Sequence, residues 1–241
     1  MDKVFVTTFN KKLYKSYAHK LIETYIETKQ ETPLIVYVED DINYYPKNNN
    51  ITYNNLFNDE PECKNFVERN KHRPVNEFYK DAVRFCYKVF AQNAGRKYGK
   101  QIYYVDSDCV FMNKIPTEWF NQILPSDKFL AFYDRPKQYT ETGFLAFDNT
   151  KEYSDDFFKK YCEWYIKDRV YNLSAFTDCH TLDATRKYIK QNNIKYKEQP
   201  LGDGKGGHIM ARHSLLNYYI DHRKGNRKEF NNSPEWEQNR R

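Results

Sequence analysis

The chain has 241 residues, which is enough for one large domain or two small ones with an ample hydrophobic core. Charged residues make up 30% of it and aromatic residues 17%, a composition that excludes an intrinsically disordered chain. The formal net charge of +6 suits an anionic substrate as well as a nucleic acid, so the sign of the charge does not choose between those partners.

The cysteines and the N-terminal sequence bear on the cellular compartment. The five cysteines are odd in number and no two are spaced as Cys-x-x-Cys, which argues against a disulfide framework and a zinc site. No signal peptide precedes the first strand-like run, and no apolar run approaches the length of a membrane span. We therefore expect reduced thiols, no transmembrane segment and a cytoplasmic location.

The beginning of the chain predicts a β-α-β unit followed by a loop. Residues 4–8 form a strand-like run, residues 11–30 place apolar side chains at helical spacing, and residues 33–38 form a second strand-like run. This order is typical of a parallel sheet with a right-handed crossover. The Asn-rich residues 43–58 predict a loop.

Two acids at the end of the next strand are the most informative residues. Residues 78–90 predict an amphipathic helix, and residues 102–105 predict a buried strand that Asp106 and Asp108 follow. Two carboxylates so close together do not comfortably ionise without a cation, and a divalent metal with oxygen ligands would satisfy them. A solvated strand end or turn is the alternative that this motif alone leaves open.

The rest of the chain continues to alternate between the two element types. The patterns predict helices at residues 117–124, 157–169 and 181–191 and strands at residues 129–133 and 143–147. A glycine-rich stretch begins at Gly202, and the polar residues 230–241 predict a frayed tail. No repeat or linker is visible, so we expect one domain over residues 1–229.

A second motif lies near the end of that domain. His222 is followed by Gly225 and Lys228 at intervals of three residues. Neutral histidine is a usual metal ligand, glycine lets the backbone approach a phosphate, and lysine neutralises one. Because residues 222–228 carry several cations, a nucleic-acid-binding patch is an equal alternative for this motif alone.

Together these motifs resemble the GT-A glycosyltransferases, in particular the glycogenin and lipopolysaccharide-galactosyltransferase family. The resemblance rests on the β-α-β start, the Asp-x-Asp strand end and the closing His-x-x-Gly-x-x-Lys. Small glycosyltransferase-like proteins of bacteria and phages also resemble residues 81–91, 141–144 and 219–225. The chain departs from the family pattern at Glu229, since Pro-Trp usually follows the lysine there.

The resemblance implies a fold, an activity and a metal. It implies an α/β fold: a single GT-A-like (Rossmann-like) domain with a central, mainly parallel sheet flanked by helices. It implies that Asp106, Asp108 and His222 hold Mn²⁺ (or Mg²⁺) and that Lys228 contacts the diphosphate of the donor. The expected reaction is hexosyl transfer from a nucleotide-sugar, with a UDP-sugar favoured, to a glycan or lipopolysaccharide-type acceptor, with no nucleic-acid partner.

Further donor-binding residues follow from this interpretation. We expect the nucleoside to lie over the carboxyl ends of the first strands, where Glu39 or Asp40 accepts hydrogen bonds from the ribose hydroxyls. Side chains on one face of the predicted helix over residues 78–90, together with residues of the two motifs, would contact the diphosphate or the sugar. The expected donor-binding residues are Thr7, Thr8, Asn10, Glu39, Arg84, Lys88, Ser107, Gly143, Lys224, Gly225 and Lys228.

The residue that activates the acceptor is open between two aspartates. An inverting enzyme needs a base on the acceptor hydroxyl, and Asp178 or Asp183 is the candidate. The alternatives are that Asp178 caps the following helix and that Asp183 is a solvated acid in its first turn. His208 is a candidate for shaping the acceptor site, whereas His180 and His213 are more typical of surface or packing residues.

Two other functions compete with this interpretation. Asp106 and Asp108 also fit the Asp-x-Asp pattern of haloacid-dehalogenase-type phosphatases, in which the first aspartate is the nucleophile. That pattern normally belongs to an opening strand, and it would leave residues 222–228 unused. A non-catalytic nucleotide- or nucleic-acid-binding protein is permitted by the charge and the aromatic content, but no binding signature of that kind is visible.

Overall fold

The computed structural model describes residues 1–135, 137–202, 210 and 215–229. The predicted tail, His208 and His213 lie outside them. The strands are β1 Lys3–Thr8, β2 Leu34–Val38, β3 Ile51–Asn55, β4 Gln101–Val105, β5 Cys109–Phe111, β6 Leu130–Tyr133, β7 Glu141–Asp148, β8 Glu198–Pro200 and β9 Ile220–His222. The helices are α1 Lys11–Leu13, α2 His19–Glu27, α3 Leu56–Asp59, α4 Pro61–Asn70, α5 Ala82–Gly95, α6 Thr117–Ile123, α7 Ser154–Ile166 and α8 Asp178–Asn192.

Seven strands form one mainly parallel sheet. Their order is β3-β2-β1-β4-β7-β6-β8, and β7 alone runs against its neighbours. The short strands β5 and β9 pair antiparallel in a second sheet. The expected α/β fold with a central, mainly parallel sheet is confirmed. Within the described residues, none of the helices has the length and apolarity needed to cross a membrane.

The sheet lies between two layers because successive residues of its central strands point to opposite faces. On β1, Val4 and Val6 pack into the core beneath α4, α5, α7 and α8, whereas Phe5 packs beneath α2 and α6. Full burial of a side chain such as Phe5 contributes roughly 1.5–3 kcal/mol. This two-sided burial explains why the central strands are continuous apolar runs in the sequence.

The first crossover helix is not regular throughout. The predicted helix over residues 11–30 is built from α1, a π-helical turn at Tyr14–Ala18, and α2. Asn10 caps its start, since its side-chain oxygen accepts a hydrogen bond from Leu13 N at 3.0 Å. The π-helical turn lies beside the end of β1, and such turns are frequent at functional sites.

The predicted loop over residues 43–58 is wrong. It contains β3, which pairs parallel with β2 at the edge of the sheet, and most of α3. Only Ile51 of β3 is buried. An edge strand with one buried residue has no apolar pattern to read, so its Asn and Thr residues resemble a loop.

Candidate active site

Asp106, Asp108 and His222 come together where β4 ends. Asp106 follows β4, Asp108 precedes β5, and the pairing of β5 with β9 sets Cys109 opposite His222. His222 Nε2 lies 3.1 Å from Asp108 Oδ1 and 3.8 Å from Asp106 Oδ2. One ligand atom from each residue lies within 4.8 Å of the others. Two carboxylate oxygens and one imidazole nitrogen fit Mn²⁺ or Mg²⁺, so the donor set is compatible with the expected metal.

Gly143 on β7 makes room for the imidazole. A Cβ atom at this position would lie 2.6 Å from His222 Cε1 and 2.7 Å from Nδ1, closer than carbon contacts allow. The Gly143 carbonyl also accepts a hydrogen bond from Asp106 N at 2.9 Å. The residue therefore holds one metal-ligand candidate by its backbone and admits another by its missing side chain.

Lys88 on α5 joins the end of β4 to the start of α8. Its Nζ lies 2.7 Å from Asp106 Oδ1 and 2.9 Å from Asp178 Oδ2, and it donates to Thr142 Oγ1 at 3.2 Å. Burial by itself would lower the pKa of Lys88, but the two carboxylates outweigh it and raise the pKa, so the ammonium stays charged.

Asp178 is buried at the first residue of α8, with 4% of its surface exposed. The residue that caps this helix is Thr177, so the alternative in which Asp178 is the N-cap is wrong. Its carboxylate instead forms an ion pair with Lys88, which also pairs with Asp106. This contact could not be predicted from the sequence, because the three residues come from separate elements.

Lys228 approaches the other aspartate. Its Nζ lies 3.1 Å from Asp108 Oδ2 and 4.1 Å from the centre of the Tyr17 ring. Lys20 Nζ donates to the Lys228 carbonyl at 3.0 Å, which ties the end of the described chain to α2. Tyr17 was not among the expected site residues; the π-helical turn that carries it has no recognisable sequence signal.

The pKa values of Asp106 and Asp108 are shifted in opposite directions. Burial raises the pKa of Asp106, and the nearby Asp108 adds to this against the attraction of Lys88. For Asp108 burial acts in the same direction, but His222 and Lys228 outweigh it and lower the pKa. Burial alone would lower the pKa of His222, yet Asp108 raises it. In this structure the positive charge beside the two carboxylates is therefore supplied by Lys88, His222 and Lys228.

Comparisons with solved structures address the fold. No protein-family model and no curated protein matches the chain. The apo structure of the bifunctional glycosyltransferase WbbM aligns with 93% of this chain and 46% of its own, at 12% identity and a TM-score of 0.51. A glycosyltransferase involved in glycosylation of the major capsid of PBCV-1 aligns over 95% and 98%, at 13% identity and a TM-score of 0.50. The chain has a GT-A fold.

A third similar structure is the apo form of mouse xyloside xylosyltransferase 1. It aligns over 83% of this chain and 85% of its own, at 9% identity and a TM-score of 0.49. At these identities the comparisons give the fold, and the chemistry has to be argued from the site.

The expected nucleoside-binding residues lie at the carboxyl ends of β1 and β2 of the GT-A sheet. Thr8 Oγ1 donates to the Tyr37 carbonyl at 2.9 Å, and Asn10 Nδ2 donates to Glu39 Oε2 at 3.3 Å. The Thr7 hydroxyl is buried without a hydrogen-bond partner in the described structure. Burial raises the pKa of Glu39 to about 7, against the hydrogen bond from Asn10.

The remaining donor-side residues are placed as follows. Lys224 Nζ lies 3.1 Å from Glu141 Oε2, so in this structure it faces a carboxylate. Burial would raise the pKa of Glu141, but Lys224 and the other cations around it lower it to about 2. Ser107 is buried, and Gly225 has a φ of +64°, a left-handed conformation that favours glycine. Arg84 is exposed and pairs with Asp81 at 3.3 Å.

Asp183 lies in a different environment from Asp178. Its carboxylate accepts from Thr140 N at 3.0 Å and pairs with Arg186 Nη1 at 2.7 Å, so it is neither a solvated acid nor in the first turn of α8. It lines a cleft of about 430 Å³ whose described lining does not include Asp106 or Asp108. Its role as a base stays a prediction.

Proposed function

We propose that the chain is a metal-dependent glycosyltransferase, which moves a sugar from a nucleotide-sugar donor to a hydroxyl acceptor. The observation that carries the proposal is the convergence of Asp106, Asp108 and His222 within 4.8 Å at the end of β4 in a GT-A fold. In open α/β sheets ligands bind at this carboxyl edge.

The metal site defines the donor side of the reaction. Asp106, Asp108 and His222 would hold Mn²⁺ or Mg²⁺, which when bound supplies positive charge to the departing diphosphate. We propose that Lys228 contacts the same diphosphate, which its distance of 3.1 Å from Asp108 supports. A fixed ammonium beside a group that gains negative charge stabilises the transition state more than the ground state. Tyr17 holds that ammonium by a cation–π contact.

The contacts of Lys88 support a role for Asp178 on the sugar side of the reaction. Lys88 is 11% exposed and bridges Asp106 to Asp178, so the position of one carboxylate is linked to the position of the other. Of the two candidate bases, Asp178 is the one connected to Asp106. In transfer, the acceptor oxygen bonds the anomeric carbon, the bond to the diphosphate breaks with its electron pair, and the hydroxyl proton passes to the base.

We propose a UDP-hexose as donor and a glycan or lipopolysaccharide-type acceptor, following the family resemblance of the two motifs. The glycosyltransferase involved in glycosylation of the major capsid of PBCV-1 has a similar fold, which is compatible with a hydroxyl acceptor. A cytoplasmic location stays a prediction.

The two competing functions are less well supported. A haloacid-dehalogenase-type phosphatase would not use His222 or Lys228, yet both lie 3.1 Å from Asp108. A nucleic-acid-binding patch at residues 222–228 would need open cations, whereas Lys224 and Lys228 each pair with a carboxylate.

The test is binding of UDP, GDP and CDP to the full chain, by thermal shift and calorimetry, with and without Mn²⁺. We expect one nucleotide diphosphate to raise the melting temperature only with metal, since a ligand at a hundredfold excess over its Kd stabilises by roughly 2.7 kcal/mol. Asp108→Asn and His222→Ala should abolish the shift. The matched control is Asp127→Asn, which changes an exposed aspartate paired with Lys128.

Two outcomes would contradict the proposal. Retained metal-dependent binding in both Asp108→Asn and His222→Ala would remove the site assignment. If no nucleotide shifted the melting temperature of the wild-type chain, the proposal of a nucleotide-sugar donor would be contradicted.

A further inference from the structure

Three exposed aromatic side chains surround the starts of α5 and α8. Phe78, Tyr79 and Tyr139 have 63%, 44% and 43% of their surface exposed. We refer to these three residues as the aromatic rim. Aromatic side chains left exposed together are a feature typical of an interaction site.

The rim is held in place by contacts below it. The Tyr139 ring stacks on the His180 ring with centroids 3.5 Å apart, and its hydroxyl lies 3.0 Å from Ser174 Oγ. Phe176 N donates to the Tyr79 carbonyl at 2.8 Å. Because the segment around Ser174 contacts Tyr139 and follows directly to Phe176, it joins the two parts of the rim.

The rim borders the residues that join the sheet to α8. His180, under Tyr139, is two residues after Asp178 on α8. On α5 the Arg84 guanidinium lies 4.8 Å from the centre of the Phe78 ring, one helical turn before Lys88. Lys88 and Asp178 are the pair that contact each other at 2.9 Å. The rim therefore borders the first turns of the two helices that carry Lys88 and Asp178.

We propose that the aromatic rim binds the acceptor, and that this acceptor is a glycan whose sugar ring stacks on Tyr139. The inference rests on the proposed glycosyltransferase function. A sugar ring has apolar C–H faces and a hydroxyl edge, so it needs aromatic faces next to polar groups. The rim provides both, because Arg84 is 57% exposed beside Phe78, and Lys80 and Ser174 lie next to Tyr79 and Tyr139. Arg84 also pairs with Asp81, and Lys80 donates to the Ser174 carbonyl, so these polar groups are held in place beside the rings.

The test is a titration of the full chain with maltotriose, cellotriose and N-acetylchitotriose by saturation-transfer NMR, in the presence of UDP and Mn²⁺. We expect Tyr139→Ala to raise the Kd of the bound sugar about tenfold, which is roughly 1.4 kcal/mol, because it removes the ring on which the sugar stacks. Phe78→Ala should weaken binding as a second, independent variant. Tyr139→Phe keeps the ring face and should bind within about twofold of wild type.

Tyr188→Ala is the matched control. Tyr188 is 44% exposed on the same helix as His180 but two turns further along, away from the rim. Its removal should leave the Kd of the sugar unchanged, and all four variants should keep the wild-type affinity for UDP with Mn²⁺.

The outcomes separate this inference from the proposed function. Equal sugar affinity in wild type and in both alanine variants of the rim would overturn the inference, as would a wild-type chain that binds UDP with Mn²⁺ but none of the three sugars. A wild-type chain that binds a sugar through Tyr139 but no nucleotide would leave the glycan site standing and remove the glycosyltransferase proposal.

Discussion

Lys88 Nζ lies 2.7 Å from Asp106 Oδ1, so the helix before β4 places a cation against the first acid of the Asp-x-Asp motif. The same ammonium contacts Asp178, which has 4% of its surface exposed. A buried ammonium between two carboxylates is stable only as a set, since removal of one member leaves uncompensated charge.

Replacement of Lys88 should therefore be costly. We expect Lys88→Met to lower the free energy of unfolding by about 3 kcal/mol, because it leaves two carboxylates partly buried without their cation. Urea denaturation in EDTA at neutral pH measures the change. The double variant Lys88→Met/Asp178→Asn should recover part of the loss. A loss below about 1 kcal/mol in the single variant would mean that solvent already screens the pair.

Gly143 should be intolerant of any side chain. A Cβ atom there would lie 2.6 Å from His222 Cε1, so Gly143→Ala should displace the imidazole. We expect the metal-dependent affinity for the nucleotide diphosphate to fall at least about tenfold, which is roughly 1.4 kcal/mol. Calorimetry with and without Mn²⁺ measures it.

A double-mutant cycle tests the cause of the Gly143 effect. The quantity measured is the free energy of unfolding, because His222→Ala alone should abolish nucleotide binding. In a His222→Ala background the added methyl group meets no imidazole, so Gly143→Ala should cost much less stability than it does in wild type. Additive losses would show that the substitution acts through the backbone of β7 instead.

Tyr17 should position Lys228 through its ring. The Lys228 ammonium lies 4.1 Å from the ring centre, and a cation–π contact contributes about 0.5–1 kcal/mol at an exposed site and more where water is excluded. We expect Tyr17→Leu to weaken donor binding about fivefold and Tyr17→Phe to change it less than about twofold. In a Lys228→Met background both substitutions should have the same small effect. A larger loss for Tyr17→Phe would assign the role to the hydroxyl group near Ser107.

The two candidate bases should differ in their effect on turnover. Asp178 is linked through Lys88 to Asp106, whereas Asp183 is held by Thr140 and Arg186. We expect Asp178→Asn to lower kcat for transfer by about 10²-fold or more, as removal of a general base does. It should lower the melting temperature as well, because Lys88 loses one of its two carboxylate partners. Asp183→Asn should mainly lower the melting temperature. The reverse result would assign the base to Asp183.

The sequence was sufficient for the parts of the site that are local along the chain. Asp106 and Asp108 are marked by the apolar run of β4, and His222 and Lys228 share one short motif. Their residue types limit the chemistry, because oxygen and imidazole ligands beside a lysine favour a metal and a phosphate. The parallel sheet could be predicted from the β-α-β start, because the apolar runs of its strands are uninterrupted in the sequence.

The parts that depend on distant contacts could not be predicted. The packing of α5 and α8 on the sheet brings Lys88, Asp106 and Asp178 together. Their spacing along the sequence shows no pattern that would predict this contact. The position of Tyr17 in the site could not be predicted, because it depends on a π-helical turn. The edge strand β3 was missed because a strand with one buried residue has the composition of a loop.

Glu39 should make stability depend on pH near neutrality. Burial raises its pKa from 4.5 to about 7 in the folded chain, so the folded state binds the proton more tightly than the unfolded state. Stability from this group is fully present below pH 4.5 and is lost as the pH rises through 7, by an amount on the order of 3 kcal/mol. Urea denaturation from pH 4.5 to 8 should show this decline.

Glu39→Gln should remove the decline, because glutamine keeps a neutral side chain that does not titrate. At pH 8 the variant should therefore be more stable than wild type, whereas near pH 4.5 the two should be similar. Glu62→Gln is the matched control, since Glu62 is exposed on α4 and its removal should leave the wild-type pH profile. A Glu39→Gln profile parallel to wild type would show that Glu39 is charged in the folded chain at neutral pH, with its carboxylate solvated at the nucleoside side of the sheet.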